Sequence, residues 1–92
     1  MAVIEDKARE LRDAALAADN GRAAELVAQD GPLRQSLIAL RAGTRLAEHN
    51  SPPAATMYLL EGRVRVTVGD HVQAEIAGGE LWVLTHERHG VE

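Results

Sequence analysis

The residues of this 92-residue sequence best suited to chemistry are its four histidines. His86 and His89 stand three apart in the segment His-Glu-Arg-His, with Glu87 between them. Residues three apart on a strand point to opposite faces, so only a helical or tight-turn conformation would bring the two imidazoles together. On such a turn they would make a weak divalent-metal site. His49 stands where a predicted strand ends, and is either a metal ligand or a hydrogen-bonded polar side chain.

Other catalytic arrangements are missing from the sequence. Ser36 and Ser51 lack the G-x-S-x-G context of a nucleophile, and no phosphate-cradling glycine loop precedes a helix. The chain has no cysteine, which excludes disulfides and thiolate zinc sites. Arg63 and Arg65 share one face of a predicted strand, where a solvated outer face is expected in preference to an anion site. The sequence thus predicts no catalytic residue and favours a protein that is not an enzyme.

Composition limits the partners and the location. The formal net charge of −4 opposes non-specific nucleic-acid binding, which needs clustered positive charge. No apolar run approaches the roughly 20 residues that span a bilayer. The segment 1–13 is too acidic and too charged for a signal peptide. We therefore expect a cytoplasmic protein that binds neither nucleic acid nor membrane.

The periodicity of apolar residues predicts one helix followed by strands. Residues 4–18 carry apolar side chains at helical spacing, and the Asp-Asn-Gly at 19–21 ends the helix. The segment 22–29 fits either a helical turn or a strand. From residue 33 onward, short alternating segments, clearest at 63–70, are separated by turn residues every eight to twelve positions. This pattern is typical of an antiparallel sandwich or barrel.

The spacing of the segment 43–62 resembles the first motif of the cupin superfamily, G-x5-H-x-H-x3,4-E-x6-G. Gly43, His49 and Gly62 stand at its first glycine, first histidine and last glycine. Ser51 stands at the second histidine of the motif, and Ala55 at its glutamate.

The segment 79–90 resembles the second cupin motif, G-x5-P-x-G-x2-H-x3-N. Gly79 stands at its first glycine, Thr85 at its proline, and His89 one residue short of its histidine. Over roughly residues 33–92 the chain is therefore similar to the small single-domain cupins.

The resemblance implies an all-β fold, a small cupin-type antiparallel β-barrel (double-stranded β-helix), with an N-terminal α-helix packed outside. Residues 1–21 would form the helix and its cap, and 22–92 the barrel. Cupin barrels continue past the second motif into a further strand, so a chain ending at Glu92 is expected to lack the final strand and to leave an edge open. A homodimer would cover that edge and supply burial that a domain this small lacks.

The resemblance also predicts an incomplete metal site. In metal-binding cupins two histidines and a glutamate of the first motif join one histidine of the second, whereas here His49 and His89 are what remains. Two imidazoles fall short of the three or four ligands of a zinc site, or of the two histidines and a carboxylate of an iron site. We therefore expect no metal cofactor. The alternative is an oxygenase or isomerase using iron, manganese or zinc, with His86, Glu87 or Glu48 completing the ligands.

The expected function is to bind a small apolar or weakly polar ligand, or a protein partner, without catalysis. The predicted pocket is lined by His49, Ser51, Ala55, Met57, Leu59, Trp82, Leu84 and His89. It is less polar than in metal-binding relatives because Ala55 replaces a carboxylate. A purely dimerising or scaffolding role is a third possibility, favoured by an interior filled with side chains.

Overall fold

In the computed structural model of the chain, the described residues are 3–49, 54–84 and 88–92, with the backbone alone described at 47–49. Over this part the elements are a helix, α1 (Ile4–Ala17), and the strands β1 (Arg22–Asp30), β2 (Leu33–Leu40), β3 (Leu46–His49), β4 (Thr56–Tyr58), β5 (Arg63–Val68), β6 (His71–Ala77), β7 (Leu81–Val83) and β8 (His89–Val91). The chain divides into an N-terminal unit, Met1–Thr44, and a C-terminal unit, Arg45–Glu92. The predicted barrel domain 22–92 begins earlier than the C-terminal unit, and that boundary stays a prediction.

The N-terminal unit is a helix packed on a β-hairpin. The predicted helix is confirmed, and the segment left open at 22–29 is a strand that pairs antiparallel with β2. Leu11 and Ala15 of α1 are buried. The Nζ of Lys7 lies 3.1 Å from Oε2 of Glu25 on β1, which places the Glu25 face of the hairpin toward the helix.

An arginine of the N-terminal unit caps the end of α1. The last turn of the helix carries no basic residue. Instead Nη1 of Arg41 donates to the carbonyl oxygens of Leu16, at 3.4 Å, and Ala18, at 3.2 Å. The last carbonyls of a helix lack partners within it and carry partial negative charge. The guanidinium thus fixes the segment after β2 to the end of α1.

The strands of the C-terminal unit pair in a nested order. β5 pairs with β6 at the centre, β4 with β7 outside them, and β3 with β8 outermost, all antiparallel. Between β4–β7 and β5–β6 the backbone bonds continue, from the amide of Leu59 to the Glu80 carbonyl and from the amide of Gly78 to the Gly62 carbonyl, both 3.1 Å. The four inner strands therefore form one continuous two-stranded ribbon.

The ribbon turns a corner at two glycines. Tyr58 pairs with Leu81 and Arg63 with Ala77, so the β4–β5 side of the corner is one residue longer than the β6–β7 side. Gly62 and Gly79 each have φ of 89°, a conformation that residues with a Cβ rarely adopt. An extra residue of this kind is a β-bulge, which bends the strand and resets which side chains face inward.

The ribbon is bent so that β8 also lies beside β5. Val66 pairs with Val91 and Thr67 with Gly90, which gives a four-stranded sheet of order β3-β8-β5-β6. All three residues of β8 are buried, and Val66 is fully buried. β8 has no counterpart among the strands predicted from alternation. His89 lies in this extended strand, inside the sheet.

The fold is thus mostly β, with one N-terminal helix and small antiparallel sheets. The other described sheets are the β1–β2 and β4–β7 pairs. Backbone pairing among the described strands does not close a barrel. No helix in the described part of the chain is long and apolar enough to cross a bilayer.

Candidate functional site

Two of the histidine positions singled out from the sequence meet in the C-terminal unit. His49 on β3 and His89 on β8 are direct partners in the strand ladder. Residues opposite each other on antiparallel strands have Cα atoms about 4.5–5.5 Å apart. Because β8 lies between β3 and β5, the His89 side chain is only 2% exposed.

Five of the predicted pocket residues lie together on one face of the β4–β7 pair. This β4–β7 face consists of Ala55, Met57, Leu59, Trp82 and Leu84. Met57 pairs directly with Trp82, and the amide of Leu84 donates to the Ala55 carbonyl at 3.0 Å. Each of the five is half-buried, whereas Tyr58, Leu81 and Val83, on the alternate positions, are exposed. The period of two along both strands therefore gathers these side chains on the better-covered side.

The β4–β7 face contains one unsatisfied polar atom. Nε1 of Trp82 is sealed from solvent and has no hydrogen-bond partner among the described residues. An indole N–H can only donate a hydrogen bond. Leaving a buried donor unpaired costs about 1–3 kcal/mol. The face is therefore apolar, and its one side-chain donor has no contact with solvent.

The other residues of the predicted pocket and metal site fall in the part of the chain that the structure does not describe. Ser51, His86 and Glu87 lie outside the described residues, and so does the Glu48 side chain. The described residues contain no group of three or more His, Asp or Glu side chains that could hold a metal ion. The metal-binding alternative for His49, His89 and His86 stays a prediction.

The arginines of β5 lie on a charged, exposed face. Arg65 Nη1 lies 3.8 Å from Oε1 of Glu92, and its Nε lies 4.0 Å from Oε1 of Glu75. Nε of Arg45 lies 4.0 Å from Oε2 of Glu92. These contacts fit the solvated outer face expected for the two β5 arginines. Sequence reasoning missed Glu92 as the partner of Arg45 and Arg65, since nothing local in the sequence signals that β8 lies beside β5.

The N-terminal unit has a groove of about 200 Å³ that the sequence did not predict. It lies between α1 and the end of β2 and is lined by Arg12, Ala15, Leu16, Ala39, Leu40, Arg41 and Ala42. Its lining contains no acid, histidine or nucleophile. Arg41 already donates to the carbonyls that end α1. The groove therefore offers no side chain for acid–base or nucleophilic chemistry.

No protein-family model, curated protein or solved structure matches the chain. The resemblance to cupins rests on the motif spacing, and its consequences for function remain proposals.

Proposed function

We propose that the C-terminal unit is a cupin-like binding module, metal-free and not an enzyme, that holds a small apolar or weakly polar ligand against the β4–β7 face. The observation that carries the proposal is the nested strand order, which brings the two motif strands together with His49 opposite His89. The other predicted pocket residues that the structure describes share the half-buried β4–β7 face.

The strand pairings support the cupin-type architecture. A two-stranded ribbon that bends so that its outer strand lies beside an inner one is the way a double-stranded β-helix, or jelly roll, is built. Here β8 pairs with β3 on one side and with β5 on the other. The two motif glycines at the corner, Gly62 and Gly79, have the positive φ that this bend requires.

The residue types on the β4–β7 face favour an apolar ligand over a metal. Ala55, at the position where the metal-binding family has a carboxylate, offers a methyl group on the same face as Met57 and Trp82. Binding an ion there would require charged or strongly polar ligands, which the described side chains of this face lack. The alternative, a metal-dependent oxygenase or isomerase, would require His49 and His89 to recruit further ligands.

Metal analysis separates the two functions. Protein purified without a histidine tag is analysed for metal, then titrated with iron(II), manganese(II) and zinc(II). We expect no stoichiometric metal and no difference between wild type and His49→Ala. Stoichiometric metal that is lost in His49→Ala but kept in the exposed control His71→Ala would establish the metal-dependent alternative.

Ligand binding is tested with the uncharged probe N-phenyl-1-naphthylamine, followed by its own fluorescence and by that of Trp82, the single tryptophan. We expect saturable binding of one probe per chain, lost in Met57→Lys because a charge then occupies the β4–β7 face. Val83→Lys is the matched control, since Val83 is 67% exposed on the opposite side of the same strand pair. Non-saturable binding, or equal binding to both variants, would reject the proposal.

We also propose that the chain forms a homodimer. In the N-terminal unit, Leu26 and Ile38 are 40% and 49% exposed on the hairpin face turned away from α1. Only Leu11 and Ala15 are buried hydrophobic residues in the described part of that unit. Small domains with so little core are commonly stabilised by association. Sedimentation at tens of micromolar should give a dimer that Ile38→Glu dissociates, and a wild-type monomer would contradict this.

The remaining predictions concern location and partners. A cytoplasmic location without membrane binding remains part of the proposal. The absence of nucleic-acid binding is supported by the net charge of −4. Recovery of the native protein in the membrane fraction of disrupted cells would contradict it.

A further inference from the structure

The reverse side of the β4–β7 pair is an exposed and uncharged surface. This outer β4–β7 face consists of the alternate positions of the two strands, Thr56, Tyr58, Leu81 and Val83. Thr56 pairs with Val83 and Tyr58 with Leu81, so the four side chains are cross-strand neighbours. The three large apolar ones are between 56% and 67% exposed. Contiguous apolar patches mark interaction surfaces, whereas single exposed apolar residues do not.

The composition of β4 and β7 is that of strands covered on both faces. The segments 55–60 and 81–84 contain no charged residue. On β5, which continues the same ribbon, Arg63 and Arg65 occupy the outer positions and alternate with valines. Antiparallel strands with a solvated face alternate in this way, whereas strands buried on both faces are apolar throughout. The ribbon is therefore built for solvent on the outside of β5 and for a covering surface on the outside of β4–β7.

We infer that the outer β4–β7 face is covered by the same face of a second copy of the chain. In a two-fold contact the same patch is used on both subunits, so a patch with charges of one sign would repel its copy. The outer β4–β7 face has no charged side chain and meets this condition. Interfaces between identical subunits are also more apolar than those between proteins that associate transiently.

This contact goes beyond the proposed homodimer, which uses Leu26 and Ile38 of the N-terminal unit. Two different two-fold contacts on one chain join dimers into larger species, and the smallest closed one is a tetramer with D2 symmetry. β4 and β7 have three residues each, against nine and eight in β1 and β2. A standard interface takes about 800 Å² from each partner, so the shorter strands should give the weaker contact.

Sedimentation of the full chain from tens to hundreds of micromolar tests the inference. We expect the dimer to give way to a larger species as the concentration rises. Val83→Lys places a charge on the outer β4–β7 face and should raise the dissociation constant of this step by roughly tenfold or more. Thr56→Lys, opposite Val83, should act in the same way without removing an apolar residue.

The matched control is Val72→Lys, because Val72 is 49% exposed on β6, outside the outer β4–β7 face. It changes the net charge equally and should leave the association unchanged. Tyr58 is the single tyrosine of the chain, so its ring proton signals report directly on the face. They should shift with concentration in wild type and in Val72→Lys, and stay constant in Val83→Lys. Coinciding circular dichroism spectra show that the variants are folded.

The outcomes separate the two contacts. If no species larger than the dimer forms, or if Val83→Lys and Thr56→Lys leave it intact, the inference is wrong and the proposed homodimer stands. A lower melting temperature of Val83→Lys with unchanged association would also reject the inference, because the face would then be covered within its own chain. If Val83→Lys abolishes an association that Ile38→Glu does not change, the inference is supported and the hairpin contact fails. A wild-type monomer at all concentrations contradicts both.

Discussion

His49 and His89 are backbone partners in the β3–β8 ladder because of a register shift in β3. Leu46 pairs with Val91, and the shift lies between Leu46 and His49. In an unshifted ladder the backbone of Glu48 would be opposite His89. The irregularity in β3 thus decides that a histidine and not a glutamate occupies the ladder position paired with His89.

The buried position of His89 predicts a large effect of its removal. His89→Ala should lower the free energy of unfolding by about 2–3 kcal/mol, because it removes a buried ring and its polar interactions from the central strand of the sheet. His71 is exposed at the start of β6, so His71→Ala should change stability by less than about 0.5 kcal/mol. Chemical denaturation of both variants measures the difference, and equal effects would argue that β8 is not packed in the sheet.

Local patterns in the sequence were sufficient for part of the fold. The helical spacing of 4–18 and the Asn-Gly at its end predicted α1 closely. The alternation of Val64, Val66 and Val68 and the Gly69-Asp70 turn predicted the β5–β6 hairpin. In each case the elements in contact are close in sequence, so turn and periodicity signals carry the information.

The part that sequence reasoning missed depends on long-range pairing. β8 has three residues with a glycine at the centre and is covered on both sides, so it shows no alternation. Its neighbours, β3 and β5, are distant in sequence. For the same reason the ion pairs of Glu92 could not be predicted. That Met57, Trp82 and Leu84 share a face could be predicted from the sequence, because it follows from the period of two in each strand.

A second prediction concerns the core of the C-terminal unit. Val66 is fully buried and pairs with Val91. Val66→Ala should destabilise the protein by about 2 kcal/mol, from two lost methyl groups and the cavity they leave. Val72, on the neighbouring strand β6, is 49% exposed and provides the control: Val72→Ala should cost about 0.5 kcal/mol or less. Thermal denaturation of the two variants shows which substitution costs more stability. A larger effect of Val72→Ala would contradict the assignment of the buried face.

The corner glycine Gly62 allows a test of conformation without a steric contribution. Its φ is 89°, and a Cβ built on it would meet no atom within 4 Å. Gly62→Ala should therefore lower the free energy of unfolding by about 1 kcal/mol. An L-residue is strained at positive φ, and the lower flexibility of alanine in the unfolded chain offsets part of that strain. D-alanine at the same position, introduced by chemical synthesis, should be neutral or stabilising because positive φ is its preferred region. Equal destabilisation by both enantiomers would mean that the bend does not depend on this backbone angle.

The ion pair between Lys7 and Glu25 predicts a pH dependence of the N-terminal unit. The hydrogen bond and the charge of Glu25, with a smaller contribution from Glu10, raise the pKa of Lys7 above its ordinary value of 10.5. Because the pKa of Lys7 is higher in the folded than in the unfolded protein, the stabilisation is fully present below the unfolded pKa and is lost as the pH rises through the folded pKa.

Lys7 is the single lysine of the chain, so its side-chain Cε signal gives the pKa directly by carbon NMR titration. We expect Glu25→Gln to return this pKa toward 10.5, and the difference in melting temperature between wild type and Lys7→Gln to shrink between pH 9 and roughly pH 12, where lysine deprotonates. Glu5→Gln, on the same helix and outside the pair, is the control. A Lys7 pKa that does not respond to Glu25→Gln would show that the helix and β1 are not joined by this contact in solution.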